Sequence, residues 1–425
     1  MIVNFSVQNF GSIKDKQTLS FEADKSSHLE EHFIIKANGG LRLLKLALIF
    51  GANAAGKTTI LKALDFLREI VLRPAEKKTD LLLFNPFLFD ANTPKQNSII
   101  SIDFIQNEIR YFYEIEFNKN AILREELNFS QPKKANVFKR TTDINKQFTE
   151  ITFGSKIKKD KTFEKTLESN TLWNNTVLGG FLKTNMDSKE LKDVIDWFSN
   201  HLKPVILTDT QLDNTITENV AESEINKLDI INVLKKADFN ISDIVLKEDE
   251  MMTNGTLKIL RALELPKEAL EEMINSPLRR IEFEHTINNK TYNLPFELES
   301  QGTKRYYGFA GLLSLLINKS ITYPIDELEA SLHPELYTHF LISFLLNSKN
   351  SQIIATTHNR EILDNKEIFR NDSIWFTNKS ENCATELYSL SDFDSSVVRD
   401  TSNIFNAYKS GKLGATPNLG DYYID

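Results

Sequence analysis

Apolar and polar positions alternate from Ile2 to Val7 and again from Gln17 to Phe21, which predicts two short strands joined as a hairpin. Leu46 to Phe50 is an unbroken apolar run of the kind that forms a buried strand, and a glycine-rich turn follows it at once. From Thr59 to Leu72 the pattern changes period: Leu61, Leu64, Leu67 and Val71 fall near one helical face. Ile99–Phe104, Ile109–Phe117 and Ala121–Leu127 predict further strands, with Asn118-Lys119-Asn120 as a turn.

Between Gln131 and Lys165 the periodicity fades, and ten Lys or Arg stand against four Asp or Glu, so this stretch is expected to be exposed. From about 166 to 278 apolar residues recur at helical spacing, as in Leu191, Val194, Ile195 and Phe198 and in Ile225, Leu228, Ile231 and Leu234. Strands are expected again at Arg280–His285 and Lys290–Leu294 around a turn at Asn288-Asn289. An apolar helix over Tyr306–Ile317 and strands at Ile321–Ile325 and Ser351–Thr356 follow. The expected fold class is α/β, a head with an antiparallel β lobe, built from both chain ends and interrupted by a mostly helical insertion. The expected divisions are 1–130, 131–280 and 281–425.

The 425 residues exceed one ordinary compact core. A hydrophobic share of 41% and a charged share of 26% fit a packed globular body rather than a disordered or fibrous chain. The formal charge of −8 argues against body-wide attraction to DNA or anionic lipid and leaves room only for a local basic patch. Cys383 is the single cysteine, so no internal disulfide forms, which suits a reducing cytoplasm. The first residues lack the basic leader and apolar run of a signal peptide, and runs such as Phe309–Ile317 fall short of a membrane span. The expectation is a cytoplasmic protein with no membrane partner.

Gly51-Ala52-Asn53-Ala54-Ala55-Gly56-Lys57-Thr58 matches the whole P-loop pattern, between an apolar strand and a helix that begins near Thr59. Glycines let the backbone aim N–H groups at phosphate oxygens, and the helix N-terminus adds positive partial charge. Lys57 is expected on the β- and γ-phosphates of ATP, and the Thr58 hydroxyl on Mg²⁺. Asp326-Glu327 ends the apolar run Ile321–Ile325, as a Walker B strand requires; Asp326 is assigned to the metal shell and Glu327 to the attacking water. His358 follows the next predicted strand, where an imidazole can orient or sense the γ-phosphate.

The order P-loop, long insertion, Ser300-Gln301-Gly302-Thr303-Lys304-Arg305, Asp326-Glu327-Leu328-Glu329, Thr357-His358 resembles the ABC ATPase heads of the RecF, SMC and OLD group. Within that group it is most similar to the RloA/AbiL-like ATPases, which include the ATPase subunit of PARIS anti-phage systems. Asn9-Phe10-Gly11-Ser12, Ser331-Leu332-His333-Pro334 and Gly411-Lys412-Leu413-Gly414-Ala415-Thr416-Pro417 share in the resemblance. It implies that Ser300 and Gly302 belong to a signature loop that caps ATP held by a second copy, giving a homodimer or larger homo-oligomer. Where relatives often carry a basic residue this chain has Gly11, and the Q-loop glutamine is left open between Gln96 and Gln106.

The basic stretch, with Lys133, Lys134, Lys139, Arg140, Lys156, Lys158, Lys159 and Lys161, offers a nucleic-acid contact in which Phe138 stacks on a base. A solvated face or a protein-binding insertion fits the same residues. Two functions follow from the resemblance. One is the sensor ATPase of a prokaryotic anti-phage system with a separate effector of Toprim-like nuclease type, since no clustered carboxylates appear outside the ATPase site. The other is a DNA-repair or recombination ATPase of RecF type; a scaffold that holds ATP without turnover is the non-enzymatic alternative.

Overall fold

The computed structural model describes residues 1–131, 133–157, 161–249, 278–364, 369–393 and 404–417. In chain order its strands are β1 (Ile2–Gln8), β2 (Gln17–Ser20), β3 (Ile34–Lys36), β4 (Arg42–Leu44), β5 (Leu46–Gly51), β6 (Ser98–Gln106), β7 (Ile109–Phe117), β8 (Ile122–Ser130) and β9 (Lys134–Asp143). There follow β10 (Phe148–Phe153), β11 (Asp243–Asp249), β12 (Leu278–Ile287), β13 (Lys290–Pro295), β14 (Thr322–Ile325), β15 (Gln352–Thr357), β16 (Ile374–Lys379) and β17 (Thr385–Ser389). The fold is mixed α/β with a large antiparallel sheet. Among the described residues no helix is long and apolar enough to cross a membrane.

The chain forms two compact units: Met1–Thr208 with Lys319–Glu329 and Leu345–Asp425, and Asp209–Asn318 with Ala330–Phe344. The first holds a five-stranded sheet in the order β14-β15-β5-β16-β17, parallel except for β17. Every residue of β5 and β15 is buried, as a parallel strand covered on both faces requires. The same unit holds a seven-stranded antiparallel sheet, β10-β9-β8-β7-β6-β1-β2. β7 alternates buried and half-buried residues along its whole length, so one face packs inward and the other meets solvent.

That sheet corrects the expectation for the basic stretch. Residues 134–153, read as exposed and assigned to the insertion, form β9, antiparallel to β8, and β10, antiparallel to β9. The polar pattern disguised them because one inward position of β9 is filled by Arg140, whose guanidinium is fully buried 3.3 Å from the Glu125 carboxylate. The helical reading of the next segment holds for Lys161–Asn170, Val177–Leu182, Lys189–Asp196, Leu212–Ala221 and Lys227–Lys236. It fails at β11, and residues 250–277 lie outside the described residues, as do Lys158 and Lys159.

In the second unit β11, β12 and β13 form an antiparallel sheet, and the expected turn at Asn288-Asn289 has φ of 51° and 60°, as a tight hairpin turn with two positive φ values requires. An 18-residue helix, Gln301–Asn318, is buried from Tyr306 to Leu316. Gly308 and Gly311 admit Leu212 and Ile216 of the neighbouring helix; a Cβ at Gly311 would meet Ile216 at 2.3 Å.

Candidate functional site

Three loops leave the carboxyl ends of adjacent parallel strands β14, β15 and β5, which is where open α/β sheets bind ligands. The loop after β5 is residues 51–56. Ala54 at φ 60° and Gly56 at φ 94° turn the backbone sharply, and helix Lys57–Leu72 starts at Gly56 without any side-chain cap. A Cβ on Gly56 would lie 1.9 Å from Thr385 Oγ1 and 2.6 Å from Ser12 Oγ. Only glycine fits. Thr385 Oγ1 donates to the carbonyl of Ala55 at 3.0 Å and lies 2.8 Å from Ser12 Oγ, and Ser12 shares a 2.9 Å bond with Thr59 Oγ1. These hydroxyls brace the loop from behind.

Lys57 is buried, and its Nζ donates to the carbonyls of Gly51 at 3.0 Å and Ala52 at 3.2 Å. Burial lowers its pKa, while Asp326, Glu327 and Glu329 oppose that shift. Thr58 Oγ1 lies 3.0 Å from both oxygens of Asp326, so the hydroxyl after the lysine meets the carboxylate that ends β14. Asp326 itself is 7% exposed, and its backbone N–H donates to Ile206 O at 2.8 Å.

Glu327 stands at φ 46°, a left-handed conformation that costs a side-chain-bearing residue on the order of 1–3 kcal/mol. Its N–H donates to Thr356 Oγ1 at 2.8 Å, and that hydroxyl donates to Asp326 Oδ1 at 2.6 Å. One threonine therefore ties both carboxylate residues to β15. Glu327 Oε1 is 3.8 Å from His358 Nε2. The His358 pKa is lowered, first by burial and then by Lys57, against the pull of Glu329, Glu327 and Asp326. The His358 N–H donates to Glu329 Oε1, whereas Glu329 Oε2 is buried without a hydrogen-bond partner.

The structure thus brings together Lys57, Thr58, Asp326, Glu327 and His358, gives a place to Ser12 and Glu329, which the sequence offered only as parts of the resemblance, and adds Thr356 and Thr385. The family model described as "AAA domain, putative AbiEii toxin, Type IV TA system" matches residues 46–364, well over half of the chain. The chain belongs to this AAA family. It is therefore a P-loop ATPase by family, and the matched span contains every residue of the β5, β14 and β15 loops just described. No curated protein matches the chain in sequence. Among solved structures it is similar to the SMC head domain from Thermotoga maritima at 13% identity and TM-score 0.43, over 91% of this chain and 98% of that one. It is also similar to an SMC head with an extended coiled coil bound to the C-terminal domain of ScpA, from Pyrococcus furiosus, at 12% identity and TM-score 0.39, over 94% and 98%. These scores add nothing to what the strand order establishes.

In this AAA chain the remaining sequence candidates are placed as follows. Ser300 Oγ accepts the Thr303 N–H at 3.0 Å and so caps the helix Gln301–Asn318, with Ser300 exposed and Gly302 half-buried. Gln106 is not free for a ligand: it is buried, and its Nε2 donates to Asp196 at 2.7 Å. Gln96 is exposed. Gly11 packs against Thr59 and, with Phe10, Thr59, Lys62 and Phe66, lines a cavity of 670 Å³ along the helix Lys57–Leu72. Phe138 and Arg140 are core residues, so neither touches nucleic acid; Lys133, Lys134, Lys156 and Lys161 remain exposed.

Proposed function

We propose that this protein hydrolyses ATP and that the loops after β5, β14 and β15 form the cis half of the site. The single observation that carries this reading is the meeting of Thr58 and Asp326 at 3.0 Å beneath an uncapped helix N-terminus. P-loop amides and Lys57 bind the phosphates, and the nucleoside extends past Thr59 into the cavity bordered by Phe10 and Gly11. A hydroxyl beside a carboxylate is an all-oxygen pair of the hard type that fits Mg²⁺, so Thr58 and Asp326 would hold it. When bound, that ion offsets charge on the phosphate oxygens. Glu327 accepts a proton as water attacks the γ-phosphorus and the bond to ADP breaks. His358, whose pKa is lowered by burial and then by Lys57, donates or accepts a hydrogen bond beside Glu327.

Ser300 and Gly302, at the head of an 18-residue helix, are proposed to cap the γ-phosphate of ATP held by a second copy, so that ATP joins two chains and hydrolysis separates them. The matched family's description as a putative AbiEii toxin of a type IV toxin–antitoxin system supports a defence role; a separate effector is part of our reading and not of that description. The burial of Arg140 and Phe138 weighs against the repair reading, which needs a continuous phosphate-tracking surface. The test is Glu327→Gln. It is expected to bind fluorescent ATP with wild-type affinity, lose at least about a hundredfold in kcat and dimerise on ATP in light scattering. Adding Ser300→Arg is expected to abolish that dimer. Undiminished hydrolysis in Glu327→Gln, or an ATP dimer indifferent to Ser300→Arg, would refute the site or the trans contact respectively.

A further inference from the structure

The hydrogen bonds that join the loop after β14 to the loop after β15 reach different distances along the chain. The ladder between the two strands ends at Ile325 opposite Ala355. Just beyond it three bonds converge on Thr356: its Oγ1 donates to Asp326 and accepts the Glu327 N–H, and its carbonyl accepts the Leu328 N–H at 3.1 Å. They fix Thr356 and leave the chain two residues further on to be held by another contact. That contact is made by Glu329. Its Oε1 accepts the backbone N–H of His358, across 29 positions of sequence. The following amides stay within their own turn, where Thr357 Oγ1 accepts the Asn359 N–H at 3.0 Å and Asn359 Oδ1 accepts that of Glu361 at 3.0 Å.

Small displacements of His358 have large consequences for its ring. Nε2 stands 3.8 Å from Glu327 Oε1, outside a hydrogen bond and within one after a shift of about 1 Å. A backbone amide held by a carboxylate limits that shift, because a charge-assisted bond is roughly twice as strong as a neutral one. Glu327 is tied separately, through Thr356, so Glu329 acts on the histidine side of the pair. It does so with one oxygen. Oε2 of Glu329 is buried and has no hydrogen-bond partner, so the contribution to His358 is a single acceptor at the end of a side chain of fixed length.

We propose that Glu329 is a positioning residue for hydrolysis: by gripping the His358 amide it sets the distance of the imidazole from Glu327 and from the water that Glu327 activates. The proposal rests on the reading of Glu327 and His358 as hydrolytic groups. It requires the length of the Glu329 side chain and its acceptor oxygen, and not its charge.

Two substitutions of similar size separate these requirements in the full chain. Glu329→Gln keeps the reach and an acceptor, and its NH2 replaces an oxygen that makes no bond, so it is expected to rescue most of the wild-type kcat. Glu329→Asp keeps the charge and falls one methylene short of the amide. Its kcat is expected to drop at least about tenfold, the scale of a misplacement on the order of 1 Å, with fluorescent-ATP affinity unchanged. In a His358→Gln background the same aspartate should cost nothing further, since the ring it would misplace is gone. An unimpaired Glu329→Asp, a Glu329→Gln as slow as Glu329→Asp, or losses that multiply in full with His358→Gln would each overturn the proposal. Independently of turnover, the His358 backbone amide is followed by ¹⁵N-histidine labelling and assigned by its loss in His358→Gln. Its proton is expected downfield in the wild type and in Glu329→Gln and back toward ordinary values in Glu329→Asp; one position in all three overturns the grip. A wild-type protein that hydrolyses no ATP sinks the proposed function itself, and the amide signals then still decide whether Glu329 holds His358.

Discussion

Thr356→Val tests whether one hydroxyl sets the geometry of both carboxylate residues. Thr356 is fully buried, and valine keeps its shape while removing the oxygen. Two bonds vanish: the 2.6 Å bond to Asp326, a bond to a charged group worth about 1.5–3 kcal/mol, and the 2.8 Å bond from the Glu327 N–H, worth about 1 kcal/mol. Asp326 keeps Thr58, so its loss is partial and lies near the lower end of that range. The Glu327 amide loses its Thr356 acceptor and sits at a strained φ of 46°, so its peptide is free to relax out of the left-handed region. The sum is a destabilisation of about 2.5 kcal/mol and a Tm fall of roughly 5 °C, at about 2 °C per kcal/mol for a large domain. Because the P-loop is untouched, ATP affinity should change little while kcat drops at least tenfold. Differential scanning fluorimetry, fluorescent-ATP titration and steady-state phosphate release measure the three quantities. Thr356→Ser, which retains the hydroxyl, should recover most of each. If Thr356→Val matches the wild type in Tm and kcat, the threonine bridge is not what holds Asp326 and Glu327 in place.

Gly56→Ala should abolish nucleotide binding in a titration, since its Cβ would collide with Thr385 Oγ1 at 1.9 Å in a backbone at φ 94°; ordinary affinity would show that the loop has room to yield. Glu125→Ala leaves Arg140 charged and unpaired in the core, so a loss of about 3–5 kcal/mol and poor soluble yield are expected, with Glu125→Ala as soluble and heat-stable as wild type counting against a structural pair. For His358 the folded pKa lies below the unfolded one, chiefly by burial, so the unfolded chain binds the proton more readily and stability falls as pH drops below about 6.5. Tm measured between pH 5 and 7 should therefore slope less in His358→Gln than in wild type, and equal slopes would remove the histidine from the acid response.

The parts of this site that were legible in the sequence are those whose signal is contiguous. Gly51 to Thr58 carries its strand, loop and helix within one short segment, and Asp326-Glu327 follows its own apolar strand, so local chemistry announces each. What sequence does not carry is which strands lie side by side. β15 between β14 and β5 puts Thr356 under both carboxylates, and β17 next to β16 brings Thr385 against Gly56; a threonine in a strand has no pattern that marks either role.

The misreading of β9 and β10 has a different cause. The run Phe148 to Phe153 alternates as a strand should, with Thr149, Ile151 and Phe153 inward, but surrounding lysines and a buried arginine swamp the period-two signal. Arg140 counts as a surface charge in any composition and becomes a core residue only because Glu125, fifteen positions earlier, arrives on the adjacent strand in register with it. His285 follows the same logic: its sequence neighbourhood marks only a strand, and its hydrogen-bond partners come from elsewhere, Asn240 from just before β11 and Glu299 from beyond β13. Polar residues held by partners distant in sequence are thus what a contiguous motif does not announce: the motif supplies the reacting groups, and those partners hold the surrounding strands in register.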